Sequence, residues 1–203
     1  MKLLVAAALL SLGALAVSYA NPKDEEFEKI AKDYVDGMLA AHPEFATQLG
    51  DHRFDDQLTD YSTEARQRQL IHARQVLEAL KQFDDFSQLT GANQVDVRIL
   101  RDNVENEIFE LDELKEAEWN PLIYNESLAN GLYLLVARDF DTPEKRIASL
   151  RQRMEAMPVV ISQAKQNLQH PPRVHTETAI QQADGAINLV RHEIGRASCR
   201  ERV

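Results

Sequence analysis

The stretch VDVRILRDNVENEIFELDEL, residues 95–114, decides the fold class of this chain. Its apolar residues recur at steps of three and four positions, a spacing that places them along one face of an α-helix. They are Val97, Leu100, Val104, Ile108, Leu111 and Leu114. The acidic residues between them fall on the other faces, so the stretch predicts a long amphipathic helix that buries one stripe.

Two further helices are predicted before this stripe. Apolar residues have helical spacing from Phe27 to Met38, and this helix is expected to stop near His42, before a proline. Residues 43–61 lose that period, which predicts an ordered connection with about one helical turn. Ser62 is a typical N-cap and is expected to begin the next helix.

The C-terminal half predicts three more helical segments. A short apolar helix is expected after Pro121. Thr142 and Pro143 provide a cap and a first helical position for the next one, which Pro158 is expected to kink or divide. The last helix is predicted to begin near Thr176.

No segment shows sustained alternation of apolar and polar residues, and fixed-period repeats and low-complexity linkers are absent from the sequence. The predicted fold class is therefore all-α, an irregular multi-helix array. Residues 21–193 are expected to form one unit without an internal domain boundary.

The first twenty residues, MKLLVAAALLSLGALAVSYA, have the features of a secretory signal peptide. Lys2 precedes an apolar stretch, and Ser18 and Ala20 occupy the positions that a signal peptidase recognises. A membrane anchor is the alternative, but the short apolar core and small-residue exit favour cleavage after Ala20. The sequence predicts a periplasmic or secreted protein that has no membrane contact after cleavage.

The charge balance excludes some partners. Aspartate and glutamate number 33 against 23 lysines and arginines, which gives a formal net charge of −10. Such a surface repels nucleic acid and anionic lipid, so neither is an expected partner. The only cysteine, Cys199, rules out a disulfide within one chain.

No catalytic, cofactor-binding or metal-ligating residue is assigned from the sequence. The chain has six histidines, and none belongs to a His-Glu-x-x-His pair, the spacing that places two zinc ligands on one helical face. They are His42, His52, His72, His170, His175 and His192. A Gly-x-Ser-x-Gly elbow and a glycine-rich phosphate loop are also absent from the sequence.

Three longer stretches resemble the N-terminal part of the bacterial domain of unknown function 885 family, in the expected order. They are ATQLGDHRFDDQLTDYS (46–62), VDVRILRDNVENEIFELDELKEAEWNPLIYN (95–125) and PPRVHTETAIQQADGAI (171–187). Members of that family are larger, largely helical, often exported, and similar to zinc metallopeptidases of the gluzincin kind.

The resemblance implies a larger helical zincin-like fold, with zinc and a peptide substrate for the full-length protein. It also implies a His-Glu-x-x-x-Gly-His-His type segment and a later glutamate in the C-terminal half, and this sequence contains neither. No zinc or other cofactor is therefore expected in this fragment. For the charged loop Asp51, His52 and Arg53, a structural role is favoured because its charges can satisfy one another, and a substrate-facing role is the alternative.

The chain ends in EIGRASCRERV, residues 193–203, which resembles one reading frame of a common sequencing adapter. Residues 194–203 are therefore expected to be an artefact without function. The resulting hypothesis is an N-terminal, catalytically incomplete fragment of an exported metallopeptidase-like hydrolase. The alternative is an exported helical binding or scaffold module that needs no metal, which predicts saturable partner binding by residues 21–193 alone.

Overall fold

The computed structural model describes residues 21–189 and residue 191, and this part of the chain forms seven α-helices and no strand. The helices are α1 (Pro22–Ala41), α2 (Pro43–Leu49), α3 (Thr63–Leu80), α4 (Gly91–Phe109), α5 (Pro121–Ala137), α6 (Pro143–Asn167) and α7 (Arg173–Leu189). The all-α prediction is confirmed. The predicted signal peptide, His192 and the predicted artefact at 194–203 lie outside the described residues.

Helices α1, α3 and α4 form one packed group. The predicted stripe of α4 is buried from Val97 through Leu100 to Val104, against Phe27 and Tyr34 of α1. The stripe does not continue to its predicted end, since Leu114 is 38% exposed. A π turn at Glu110–Leu114 follows α4 and rotates its last residues away from the core.

Helices α5, α6 and α7 form a second group, in which α5 contacts both of the others. One cluster joins Leu132 and Leu135 of α5 to Leu150 of α6. A second cluster joins Tyr124 of α5 to Val160 of α6. Helix α2 contacts both α1 and α5, so it connects the two groups.

The helix starts agree with their predicted caps. The Ser62 hydroxyl accepts a hydrogen bond from the Ala65 amide at 3.1 Å, and Thr142 caps α6 through the Lys145 amide at 3.4 Å. These side chains satisfy amide groups that have no partner inside the helix. Helix α1 ends at Ala41, as the proline at position 43 requires.

Two details of the sequence prediction were wrong, and one open alternative is narrowed. Residues 43–61 contain the two-turn helix α2, which ends at Gly50 in the left-handed conformation (φ 89°), and a 3₁₀ turn at His52–Phe54. Of the two alternatives predicted for Pro158, division of the helix is excluded, because α6 is continuous and Leu150 and Val160 are buried on either side of the proline. Helix α7 begins at Arg173, directly after the prolines.

Candidate functional site

A cleft of about 340 Å³ opens where α2, the segment before α3, and α5 meet. Its lining contains two carboxylates, those of Glu44 and Glu126, and no lysine or arginine among the described residues. The rings of Phe45 and Tyr61 form part of the wall. The cleft is therefore acidic and partly aromatic.

Glu44 is a buried carboxylate of this cleft, with only 7% of its surface exposed. It accepts hydrogen bonds from the Thr59 amide at 3.0 Å, from the Thr59 hydroxyl at 2.6 Å and from the Ser127 hydroxyl. Three donors compensate for the loss of water around a buried carboxyl group. These bonds join α2, the segment before α3, and α5.

Close approach of α5 to this carboxylate depends on Gly131. A Cβ atom at that position would lie 2.7 Å from Leu58 Cδ2 and 3.4 Å from Glu44 Cγ. A larger residue would have to displace the leucine side chain, so glycine allows the backbone of α5 to pack here.

Arg153 of α6 lies in the same buried region and is fully inaccessible to solvent. Its Nη1 donates to the Gly131 carbonyl at 2.7 Å, and its Nη2 donates to the Thr47 hydroxyl at 2.8 Å. Burial lowers the pKa of Arg153, while the carboxylates of Glu44 and Asp55 act in the opposite direction. The guanidinium thus holds α2, α5 and α6 together.

Asp55 extends this polar network to the loop after α2. Its Oδ1 accepts a hydrogen bond from the Thr47 hydroxyl at 2.7 Å, and its Oδ2 lies 2.9 Å from Nδ1 of His52. The His52 ring stacks on Phe140 with 3.8 Å between centroids. His52 is therefore anchored to the segment before α6.

Tyr61 separates the cleft from a neighbouring cavity of about 220 Å³, and it lines both, as do His42 and Ile123. Burial raises the pKa of the Tyr61 phenol, and the nearby Glu44 carboxylate raises it further. The Tyr61 carbonyl accepts a hydrogen bond from Asn167 at 2.8 Å. Tyr61 therefore lies between the two cavities and is bonded to α6 through Asn167.

The charged loop singled out in the sequence largely satisfies itself. Arg53 Nη2 lies 2.6 Å from Asp51 Oδ2 and 2.8 Å from Asp36 Oδ1. The hydrogen bonds from Arg53 lower the pKa of Asp51 below its ordinary value. Asp51 and Arg53 are absent from the lining of the cleft, and these contacts support the predicted structural role.

The histidines are dispersed across the described structure. His42 lines the cleft, while His72 stacks on Tyr34 and His175 meets Trp119 edge to face. In residues 21–189, no group of three or more histidine, cysteine, aspartate and glutamate side chains is arranged to hold a metal ion.

The sequence analysis did not identify the polar network around Glu44. A signal was present in α6, where Arg153 falls in helical register with the buried residues Leu150 and Val160. An arginine on an apolar stripe indicates a buried charge with dedicated partners. Glu44 and Ser127 had no comparable signal, because their partners come from distant segments of the chain.

Residues 43–200 match the model of a family described as "Bacterial protein of unknown function (DUF885)". The chain belongs to the DUF885 family. The match covers the described cleft residues from α2 onward, so the polar network lies within the family region. A comparison with curated proteins found no match.

A similar solved structure is that of a candidate lipoprotein of unknown function from Shewanella oneidensis. The TM-score is 0.72 and the sequence identity is 26%. The similarity covers 79% of this chain but 29% of the other, so the DUF885 chain described here spans under a third of that protein's length. Within residues 21–189, no helix is both long and apolar enough to cross a membrane.

Proposed function

We propose that this chain is the N-terminal helical part of an exported, zinc-metallopeptidase-like protein that hydrolyses peptides in its full-length form. Membership of the DUF885 family is shown by the family match. The zinc and peptidase parts of the proposal rest on the resemblance of that family to gluzincin peptidases, a resemblance carried by residues 46–62, 95–125 and 171–187 of the sequence. Two features support export: the N-terminus resembles a signal peptide, and the similar structure is that of a candidate lipoprotein.

The observation that carries the fragment proposal is the length of the similar structure, of which this chain covers 29%. Exposed apolar side chains on α7 also support the fragment proposal, since Val174 and Ile180 are 64% and 63% exposed. Large apolar residues exposed on one helix are expected where a further part of the fold would pack.

The described residues do not fit a zinc site, as no suitable group of ligands exists among them. We therefore assign no zinc-binding or catalytic role to any of them and derive no catalytic step from this chain. In the proposed full-length protein, the metal ligands and the general base lie beyond the residues described here.

The contribution of this chain is then the acidic cleft, which would form part of the substrate-binding wall. Glu44 and Glu126 would select against anionic groups, and the rings of Tyr61 and Phe45 would pack against apolar side chains.

The test of the proposal is hydrolysis of a quenched fluorescent peptide library by the full-length protein. We expect cleavage that is lost after exhaustive chelation and restored when zinc is added back. The matched control is addition of magnesium, which prefers six oxygen ligands and should not restore activity. Activity that survives chelation would contradict the zinc proposal, and absence of hydrolysis under all conditions would contradict the peptidase proposal.

A second candidate function is a non-catalytic binding module. One observation favours it: residues 42–130 already form a cleft in which the buried Glu44 is held by hydrogen bonds from Thr59 and Ser127. This proposal predicts saturable partner binding by residues 21–193 alone, whereas the fragment proposal predicts no such partner binding.

A further inference from the structure

The cleft carries negative charge that no residue around it neutralises directly. Neither Glu44 nor Glu126 forms an ion pair with another residue in the described part of the chain. Two carboxylates that share a cleft without a cation favour a positively charged ligand.

Arg153 is the buried cation nearest to this network, but its hydrogen bonds are directed elsewhere. Its Nη atoms donate to the carbonyls of Gly131, Pro43 and Phe54 and to the Thr47 hydroxyl. Thr47 in turn bonds to Asp55. Through space Arg153 is influenced first by Glu44 and then by Asp55 and Asp56, so one buried cation faces three carboxylates. Glu126 of the lining adds a fourth carboxylate, and the local charge is therefore negative.

Tyr61 is the aromatic residue of the lining on which these carboxylates act. Its phenol has a raised pKa, caused first by burial, then by Glu44, with a smaller contribution from Glu126. Both carboxylates therefore act on the same aromatic wall. An aromatic ring beside carboxylates is a favourable surface for an organic cation.

The hydrogen bonds of Glu44 distinguish between classes of cation. Three of its acceptor positions are already occupied by Thr59 and Ser127. A calcium ion requires six to eight oxygen ligands, and this carboxylate has little capacity left for one. An ammonium group has only three donors, and in an open cleft water can accept from those that the carboxylates do not reach.

We propose that the cleft binds a protonated amine, with Glu44 and Glu126 as its counter-charges and Tyr61 packed against its carbon chain. The amine is either the free amino terminus of a peptide or an alkylammonium group such as a lysine side chain. This inference goes beyond the proposed hydrolysis, because it requires neither zinc nor a catalytic residue.

The experiment is isothermal titration calorimetry on the full-length protein, in the presence of a chelator so that hydrolysis cannot contribute. The probes are trialanine amide, which has a free amino terminus, and Nα-acetyl-lysine amide, which has a free side-chain amine. Each probe is compared with the same compound acetylated on that free amine. We expect acetylation to weaken binding by about tenfold or more, because it removes a charge-assisted hydrogen bond.

The two amines distinguish the sources of the ligand. Binding of trialanine amide alone identifies a peptide amino terminus, binding of the lysine derivative alone identifies a side chain, and binding of both identifies a general ammonium site. If neither amine binds better than its acetylated form, the proposal is wrong, whatever the outcome of the hydrolysis assay.

Variants locate the binding to this cleft. Glu44→Gln and Glu126→Gln should each weaken amine binding about tenfold. Glu105→Gln on α4 removes the same charge from an exposed position outside the cleft lining and should leave affinity unchanged. If Glu44→Gln fails to fold, the exposed Glu126→Gln decides the matter, and unchanged affinity in that variant overturns the proposal.

Discussion

Nη2 of Arg153 lies 2.8 Å from the hydroxyl oxygen of Thr47, so α6 is tied to α2 across 106 sequence positions behind the cleft. Arg153 is fully buried, and it also donates hydrogen bonds to the carbonyls of Gly131, Pro43 and Phe54. Removing one member of a buried charged network leaves its partners unsatisfied in a medium of low polarity.

The Arg153→Met variant should therefore destabilise the protein by about 3–5 kcal/mol, because methionine retains much of the side-chain volume but none of the donors. Equilibrium denaturation of the full-length protein measures the loss. Arg151→Met, at an exposed position on the same helix, is the matched control and should change stability little. Equal effects in the two variants would show that the buried network contributes nothing.

The N-cap of α3 gives a second prediction. The Ser62 hydroxyl accepts the Ala65 amide at 3.1 Å, so Ser62→Ala should cost about 1 kcal/mol. Ser62→Asp retains an acceptor at the cap and should keep nearly all of the stability. The shift in denaturation midpoint tests both, and a loss of the same size in the two variants would assign the effect to something other than the cap.

The raised pKa of Tyr61 predicts a loss of stability in alkaline solution. In the unfolded chain this phenol titrates near its ordinary value of 10.0, whereas the folded protein keeps it protonated to higher pH. The stabilisation is thus fully present below pH 10.0 and is lost as pH rises through the folded pKa. Burial raises the pKa of Tyr34 and Tyr124 as well, so they add to the effect.

Melting temperature measured as a function of pH checks this prediction. Tyr61→Phe should make the alkaline decline shallower, because phenylalanine has no titrating group. Tyr133→Phe is the control, since that ring is 53% exposed on α5 and its removal should leave the slope unchanged. A slope that is insensitive to Tyr61→Phe would contradict the assignment.

The sequence predicted the helices well where one face is buried and a local signal marks the end. Ser62, Thr142 and Pro143 act within one turn of their own position, so they can be identified from short segments. Only about one helical turn was predicted in the region of α2, because its seven residues are too short to show a period and its stability depends on contacts with α1 and α5.

The candidate site was less predictable than the fold. Glu44 meets Ser127 across 83 positions, and Arg153 meets Thr47 across 106, distances at which a single sequence carries no pairing signal. The burial of Arg153, though not the identity of its partners, could be predicted, because its register with Leu150 and Val160 places it on a buried stripe. A charged residue in such a register is the feature from which a buried polar network can be predicted.

The last prediction concerns self-association through the exposed apolar face of α7. Ile180 and Ile187 are 63% and 46% exposed and lie seven positions apart, which places them on the same side of the helix. If the rest of a larger fold packs there, residues 21–193 alone should expose this face and self-associate. Analytical ultracentrifugation should then show concentration-dependent oligomers.

Replacing both isoleucines by serine should raise the monomer fraction, because it removes apolar area without touching a buried residue. The matched control is Val95→Ser on α4, which removes an apolar side chain that is 54% exposed on the other helical group and should leave association unchanged. A monodisperse, cooperatively melting chain of residues 21–193 would contradict the fragment proposal, since a helical unit that stands alone has no need of a missing partner. Self-association that both variants reduce equally would instead reflect general surface hydrophobicity.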